Sequence, residues 1–100
     1  MATTSKALVR TAAATSTATL YTVPSATTTV VTNIVVTNSA ATAATFTMTL
    51  DGIDVFTTTA IAANSTAMFD LKQVLATTKI IAGFASATTV KFHISGVEIA

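Results

Sequence analysis

Residues 45–56 of the chain read TFTMTLDGIDVF. In the first six positions Phe46, Met48 and Leu50 alternate with threonines, and a period of two places alternate side chains on opposite faces of a β-strand. The dipeptide Asp51-Gly52 tolerates the two positive φ angles of a type I′ turn, which folds one strand back onto the next. The segment therefore predicts a β-hairpin with an apolar inner face and a threonine-covered outer face.

The same kind of pattern predicts strands on both sides of this hairpin. The alternation or the β-branched content is typical of strands in five further segments: residues 20–23, 28–37, 66–71, 79–85 and 89–95. Residues 28–37 are β-branched at nearly every position, which predicts an interior strand covered on both faces. Residues 72–78 are interpreted as a connection with one helical turn. Loops are predicted at residues 38–42 and 62–65, and a turn after Pro24.

The inward side chains follow from these alternations. In residues 79–85 the aligned set is Ile80, Ala82 and Phe84, and most of the five phenylalanines are expected to face the core. Phe56 is the exception, since it lies off the parity of the two apolar residues before it. Near the C-terminus, Gly96 changes the parity of the last strand, so a β-bulge there is needed to bury Val97.

The composition agrees with a sheet protein of one domain. Among 100 residues there are 24 threonines and 20 alanines, and β-branched residues favour pleated sheet over helix. The predicted fold class is all-β, an antiparallel β-sandwich or small barrel of seven to eight short strands. Residues 1–17 are interpreted as an N-terminal arm or edge strand, whose first twelve residues should be removable without unfolding. Residues 18–100 form the β-sandwich domain.

Charge and hydropathy exclude several classes of partner. The net charge is +1 and only 9% of residues are charged, too few to favour nucleic acid or an anionic membrane surface. Threonines interrupt every apolar run, so no membrane span is predicted. So few charges on the exterior suggest that other chains cover part of it, although a domain solubilised by its hydroxyl groups alone is the competing interpretation.

No constellation of residues suggests chemistry. His93 is the single histidine and is placed on the outer face of its strand, and Asp51 with Asp54 makes a poor cation site that turn formation explains better. We therefore predict no catalytic residues, no cofactor, no metal and no enzymatic activity. Threonine abundance raises the alternative of ice binding, but the threonine segments share no fixed repeat.

One long stretch resembles a known group of proteins. Residues 20–38, LYTVPSATTTVVTNIVVTN, are similar to a pattern in small bacteriophage virion proteins. Five later pieces follow in consistent order: the strand ending in Asp51-Gly52, AIAANST at 60–66, the apolar strand after it, KIIAGFAS at 79–86 and VKFHISGVEIA at 90–100. The resemblance covers roughly residues 18–100. It departs at residues 25–26 and 77–78, where family-like sequences often carry turn glycines.

The resemblance implies a structural virion protein. The expected role is a capsid decoration (cement) protein on the exterior of the head, bound to the major capsid protein and forming trimers that match local threefold axes. The N-terminal arm is expected to add a strand to a neighbour's sheet edge, with Lys6, Leu8 and Arg10 as the candidate interface residues, unless this segment is only a disordered tail. The alternative role is a head fibre or a tail-associated, receptor-facing binding module.

Overall fold

The computed structural model describes residues 3–100, which form eight antiparallel strands and no helix. Met1 and Ala2, the first residues of the predicted arm, lie outside the described residues. The strands are β1 (Thr3–Ala12), β2 (Ala18–Thr22), β3 (Thr28–Asn38), β4 (Ala44–Leu50), β5 (Ile53–Ile61), β6 (Ser65–Leu75), β7 (Ile80–Ala85) and β8 (Val90–Ile99). Among residues 3–100, no helix is long or apolar enough to cross a membrane.

The strands lie in two sheets of four, which confirms the all-β sandwich expected from the sequence. Sheet A has the order β1-β8-β3-β6, and sheet B has the order β2-β7-β4-β5. Strand β3 pairs with β8 on one side and β6 on the other, so its interior position is confirmed. Its outer face, however, is only half-buried at residues such as Val30 and Val35, and the expectation that both faces are covered was wrong.

The hairpin at residues 45–56 is confirmed. Leu50 pairs with Ile53, and both turn residues have positive φ, 55° at Asp51 and 75° at Gly52. Along β4 burial alternates without exception, with the apolar side chains in the core and the threonines half-buried outside. The turn therefore sets the register that places Phe46 and Met48 between the sheets.

Four phenylalanine rings form the centre of the interior. The ring of Phe46 lies 5.3 Å from Phe56, 6.3 Å from Phe69 and 6.0 Å from Phe92, so it joins strands of both sheets. Phe56 reaches the core because β5 carries an extra residue, Val55, between the pairs Met48–Phe56 and Thr49–Asp54. This bulge shifts the parity of β5, which explains why Phe56 is out of phase with the residues before it.

Two other predictions were wrong about strand limits or parity. In β7 the most buried positions include Ile81 and Ala85, while Ile80 and Phe84 are only partly buried, so the inward parity is opposite to the one predicted. Residues 72–75 continue β6 and do not begin a connection with a helical turn, because Leu75 pairs with Thr29 and is 2% exposed. In both segments apolar residues occupy both parities, and packing against the opposite sheet decides which set is buried.

The N-terminal segment lies in sheet A as an edge strand. Residues 3–12 pair with β8, and Val9 is 5% exposed within the core. Deleting residues 1–12 would thus remove a core side chain and uncover β8. This arrangement argues against the expectation that residues 1–12 can be removed without unfolding, which stays a prediction.

The irregularity expected at Gly96 exists, but the neighbouring strands carry the extra residues. Leu8 is the unpaired residue of β1 and lies beside Ile94 and Ser95 of β8, while Thr32 is that of β3 and lies beside Ser95 and Gly96. A Cβ added at Gly96 would lie 2.3 Å from the Val30 carbonyl oxygen, so only glycine fits at this crossing. Because β8 itself keeps an unbroken alternation, Glu98 faces inward and Val97 does not, which corrects the predicted burial of Val97.

Candidate interaction surfaces

Strand β1 carries the three residues predicted as an interface. It is the terminal strand of sheet A, and among residues 3–100 no strand pairs with its second edge. Such an edge presents backbone N–H and C=O groups to which a further strand can add. Strand addition can therefore still take place at this position. The strand that takes part, β1, is an ordered strand of sheet A and not a separate arm.

Lys6 is engaged within the chain by a polar cluster at the open end of the sandwich. Its Nζ lies 3.4 Å from a carboxylate oxygen of Glu98, and the same carboxylate accepts a hydrogen bond from the Tyr21 hydroxyl. The Tyr21 hydroxyl and the hydroxyl of buried Thr29 lie 2.9 Å apart. We call these four residues the Tyr21–Glu98 cluster. It links β1, β3 and β8 of sheet A to β2 of sheet B.

The cluster shifts two ionisation equilibria. The hydrogen bond from Tyr21, aided by Lys6, lowers the pKa of Glu98 against the opposing effect of burial. Burial, and then the hydrogen bond to Glu98, raises the pKa of Tyr21. Both shifts favour the pair of a neutral phenol and an ionised carboxylate at neutral pH.

Leu8 lies at the mouth of a groove between the edges of the two sheets. As the extra residue of β1 it packs against the core, and its Cδ1 would lie 2.9 Å from a Cβ built at Gly96. The groove has a volume of about 400 Å³, is lined by β1, β2 and the loop between them, and includes Leu8, Val9 and Leu20. An apolar side chain from another molecule can be accommodated there.

Arg10 is exposed at the rim of this groove and also borders the outer face of sheet A. It pairs with His93 across the β1–β8 ladder and shares a shallow depression of about 420 Å³ with Asn33 and Val35. The three predicted residues therefore share one strand but differ in role. Lys6 is paired with Glu98, Leu8 packs inward, and Arg10 faces solvent.

The outer face of sheet A is the surface that the sequence did not predict. Val30 of β3 pairs with Val97 of β8 on one side and with Val74 of β6 on the other, and all three point away from the core. Val74 is 67% exposed, and Met68 on the same face is 74% exposed. We call Val30, Val74 and Val97 the valine row. The signal was present in β3, whose valines occupy both parities, but it was interpreted as evidence for burial.

Groups capable of chemistry do not converge in the described part of the chain. His93 is exposed on the outer face of β8, as predicted, and Asp51 pairs with Lys79 at 3.6 Å. Asp54 accepts a hydrogen bond from Thr57 at 3.0 Å. Within residues 3–100, no three histidine or carboxylate side chains are grouped so that they could hold a metal ion.

Comparisons with known proteins found similar solved structures but no matching family model. No family model matches the sequence, and no curated protein matches it. Two similar solved structures are pentameric capsid proteins isolated from metagenomic phage sequences. One is 19% identical with a TM-score of 0.43, covering 90% of this chain and 58% of that chain. The other is 16% identical with a TM-score of 0.33, covering 90% and 60%. This chain therefore spans less than two thirds of either, and similarity at this level establishes no shared function.

The Tyr21–Glu98 cluster yields a test by titration. Tyr21 is the only tyrosine and the chain has no tryptophan, so the near-ultraviolet phenolate absorbance reports this hydroxyl alone. We expect its midpoint above the ordinary value of about 10 and expect Glu98→Gln to move it back towards that value, because the carboxylate opposes phenolate formation. Asp54→Asn, which removes a distant carboxylate, should leave the midpoint unchanged. A Tyr21 titration midpoint at the ordinary value in the wild-type protein would show that the hydroxyl does not lie in the cluster as described.

The same cluster makes stability depend on pH at both extremes. The lowered pKa of Glu98 means that its contribution is present above about pH 4.3 and is lost as the pH falls through the folded-state pKa. The raised pKa of Tyr21 means that its contribution is present below about pH 10 and is lost as the pH rises through the folded-state pKa. Urea unfolding across pH measures both effects, and Glu98→Gln should flatten the acidic limb.

Proposed function

We propose that this chain is a structural virion protein of a bacteriophage, and more specifically a capsid decoration (cement) protein with no enzymatic activity. It would bind the major capsid protein on the outside of the head, with three copies at each threefold position. The resemblance of residues 18–100 to small virion proteins supports this role. The open edge of β1 and the adjacent groove are the structural observation that carries it, since they offer a built surface for attachment.

Attachment would proceed by strand addition at β1. A strand of the capsid protein would pair with the second edge of β1, and one of its apolar side chains would enter the groove beside Leu8. Main-chain hydrogen bonds would supply affinity, while the groove would fix the register. Both cations of the predicted interface are exposed, but Lys6 pairs with Glu98, whereas Arg10 makes no ion pair within residues 3–100 and would meet a carboxylate of the shell. Lys6 would act indirectly, by holding β1 through Glu98.

The test uses Arg10→Glu with Lys72→Glu as its control. Both changes reverse one exposed charge on an edge strand of sheet A, but Lys72 lies on β6 at the opposite edge. Loss of a charge-assisted hydrogen bond is worth about 1.5–3 kcal/mol, so occupancy at limiting protein should require roughly tenfold or more Arg10→Glu protein. Lys72→Glu should bind as the wild type does. Occupancy is measured by imaging particles reconstituted with each variant.

Two results would overturn the proposal. Equal occupancy of the Arg10→Glu and Lys72→Glu variants would show that β1 is not part of the attachment surface. Density for the chain on the tail, or on fibres projecting from the head, would favour the receptor-facing alternative over the cement role.

A further inference from the structure

The outer faces of the two sheets differ in a way that the folding of a single copy does not require. On sheet B, β4 presents Thr45, Thr47 and Thr49 outward, and hydroxyl groups of this kind suit a solvated sheet surface. On sheet A the corresponding face carries the valine row and Met68. The apolar side chains of sheet A thus form a row across three neighbouring strands, whereas on sheet B those of the outer face lie on β7, at Ile80 and Phe84.

We propose that a second copy of this chain covers the outer face of sheet A, so that two copies pair face to face about a twofold axis. This inference concerns a different surface from the β1 groove and does not depend on the virion role. It does not depend on the three-copy stoichiometry either, because a twofold contact on sheet A leaves the second edge of β1 open.

The order of the strands makes this face complementary to itself. A twofold axis that runs along the strands between β8 and β3 places β8 of one copy over β3 of the other, and β1 over β6. Val97 then lies over Val30 of the second copy, and Val74 lies over Ser5 at the rim. An isologous contact needs this property, since the same patch must fit itself.

The charges at the borders of the face agree with the same axis. Arg10 lies on β1, and Asp70 lies on β6 at the opposite edge. Stacking β1 over β6 places Arg10 above Met68, and Asp70 is two residues further along the same strand, within reach of the guanidinium group. Opposite charges therefore meet at both symmetric borders. The valine row crosses the axis at the level of Val97, four residues along β8 from His93, which pairs with Arg10.

The size of the face is adequate for such a contact. Strands of ten to eleven residues in a four-stranded sheet give a footprint of about 35 by 19 Å, or roughly 650 Å², before side-chain relief is counted. A stable interface buries about 800 Å² of accessible surface per partner. Two sheets packed face to face, about 10 Å apart, give the aligned geometry of an ordinary β-sandwich.

The experiment measures the solution mass of the wild type and of two lysine variants. Light scattering and sedimentation across a wide concentration range should show a dimer for the wild type. Val74→Lys, at a site 67% exposed, should weaken dimerisation by about tenfold or more, because at each of the two symmetric positions it replaces an apolar contact with a charge that has no opposite partner there. Ile53→Lys makes the same kind of change at a site 72% exposed on sheet B and should have no effect. Circular dichroism verifies that each variant is folded.

Cross-linking gives an independent measurement of which face is covered. The chain has no cysteine, so Ser95→Cys on the outer face of sheet A and Thr47→Cys on that of sheet B each introduce a single thiol. A short bismaleimide should join two copies through position 95 and not through position 47. A monomeric wild type, a trimer that survives Val74→Lys, or joining through position 47 alone would each overturn the proposal.

Discussion

Replacement of Asn38 by Asp should reduce the free energy of unfolding by about 3 kcal/mol at neutral pH, because it places a carboxylate against backbone carbonyl groups. The Asn38 side chain is 2% exposed. Its Nδ2 donates to the carbonyl oxygens of Thr42 at 2.9 Å, Ala62 at 3.3 Å and Ile61 at 3.5 Å. Asp cannot donate in its ionised form, and all three acceptors would face a negative charge.

The other side of the same amide is equally occupied. Oδ1 accepts from the Ala40 backbone N–H and from the Thr89 hydroxyl, each at 3.1 Å. One amide thus joins the loop after β3 to the end of β5 and to the start of β8. An aspartate would keep these two contacts, so the expected loss comes from the donor side.

Urea unfolding of Asn38→Asp at several pH values tests this account. Burial among carbonyl groups should raise the folded-state pKa of the new carboxyl above about 3.9, so the folded state binds the extra proton more tightly. The defect relative to the wild type should therefore be largest at neutral pH and shrink as the pH falls. Asn64→Asp, at an exposed turn position, should lose no more than about 0.5 kcal/mol. Equal losses at both positions would refute the donor argument.

Replacement of Phe46 by Ala should cost about 3–5 kcal/mol, a large share of the roughly 5–15 kcal/mol that stabilises a typical domain. Phe46 is 1% exposed and its ring lies within 6.3 Å of three other phenylalanine rings from both sheets. The cavity would lie between β4 and β5 of sheet B and β6 and β8 of sheet A, among the rings of Phe56, Phe69 and Phe92. We expect the variant to be partly unfolded at ambient temperature.

Phe84→Ala is the matched control because it deletes the same atoms from the outer face of sheet B. Phe84 is only half-buried, and it pairs with Thr47 on the threonine-covered side of β4. Its loss should cost clearly less than that of Phe46, and thermal unfolding followed by circular dichroism measures both. A larger loss of stability for Phe84→Ala than for Phe46→Ala would support the inward parity of β7 predicted from the sequence and would contradict the structure.

The sequence predicted well those strands in which only one parity is apolar. In β4 threonines mark the outer face, and in residues 90–94 of β8 Lys91 and His93 do so, which leaves a single way to bury each strand. Where both parities are apolar, as at Ile80 and Ile81, alternation carries no information and the opposite sheet decides. The extra residue Val55 had the same effect on Phe56, because a bulge moves later side chains to the other face.

The candidate surfaces were predicted less completely for a related reason. Lys6, Leu8 and Arg10 were identified from a local segment, and they do lie together on one exposed edge strand. The Tyr21–Glu98 cluster joins residues 77 positions apart in the chain, a contact that follows only from the pairing of strands. The valine row also needs the order β8-β3-β6, since none of its members is unusual within its own strand.

The extra residues in the strands of sheet A determine which deletions this sequence can accept during evolution. Leu8 and Thr32 each reverse which side chains face inward, and β6 has a further residue at the same level, between Asp70 and Gln73. A single-codon deletion of Thr32 would leave the inward side chains of β3 in phase with β8, which carries no extra residue here. A deletion farther along β3 would instead turn the rest of the strand inside out. Descendants of this sequence should therefore accept a gap at Thr32 more readily than a gap elsewhere in β3, where a deletion would carry core side chains to the outer face.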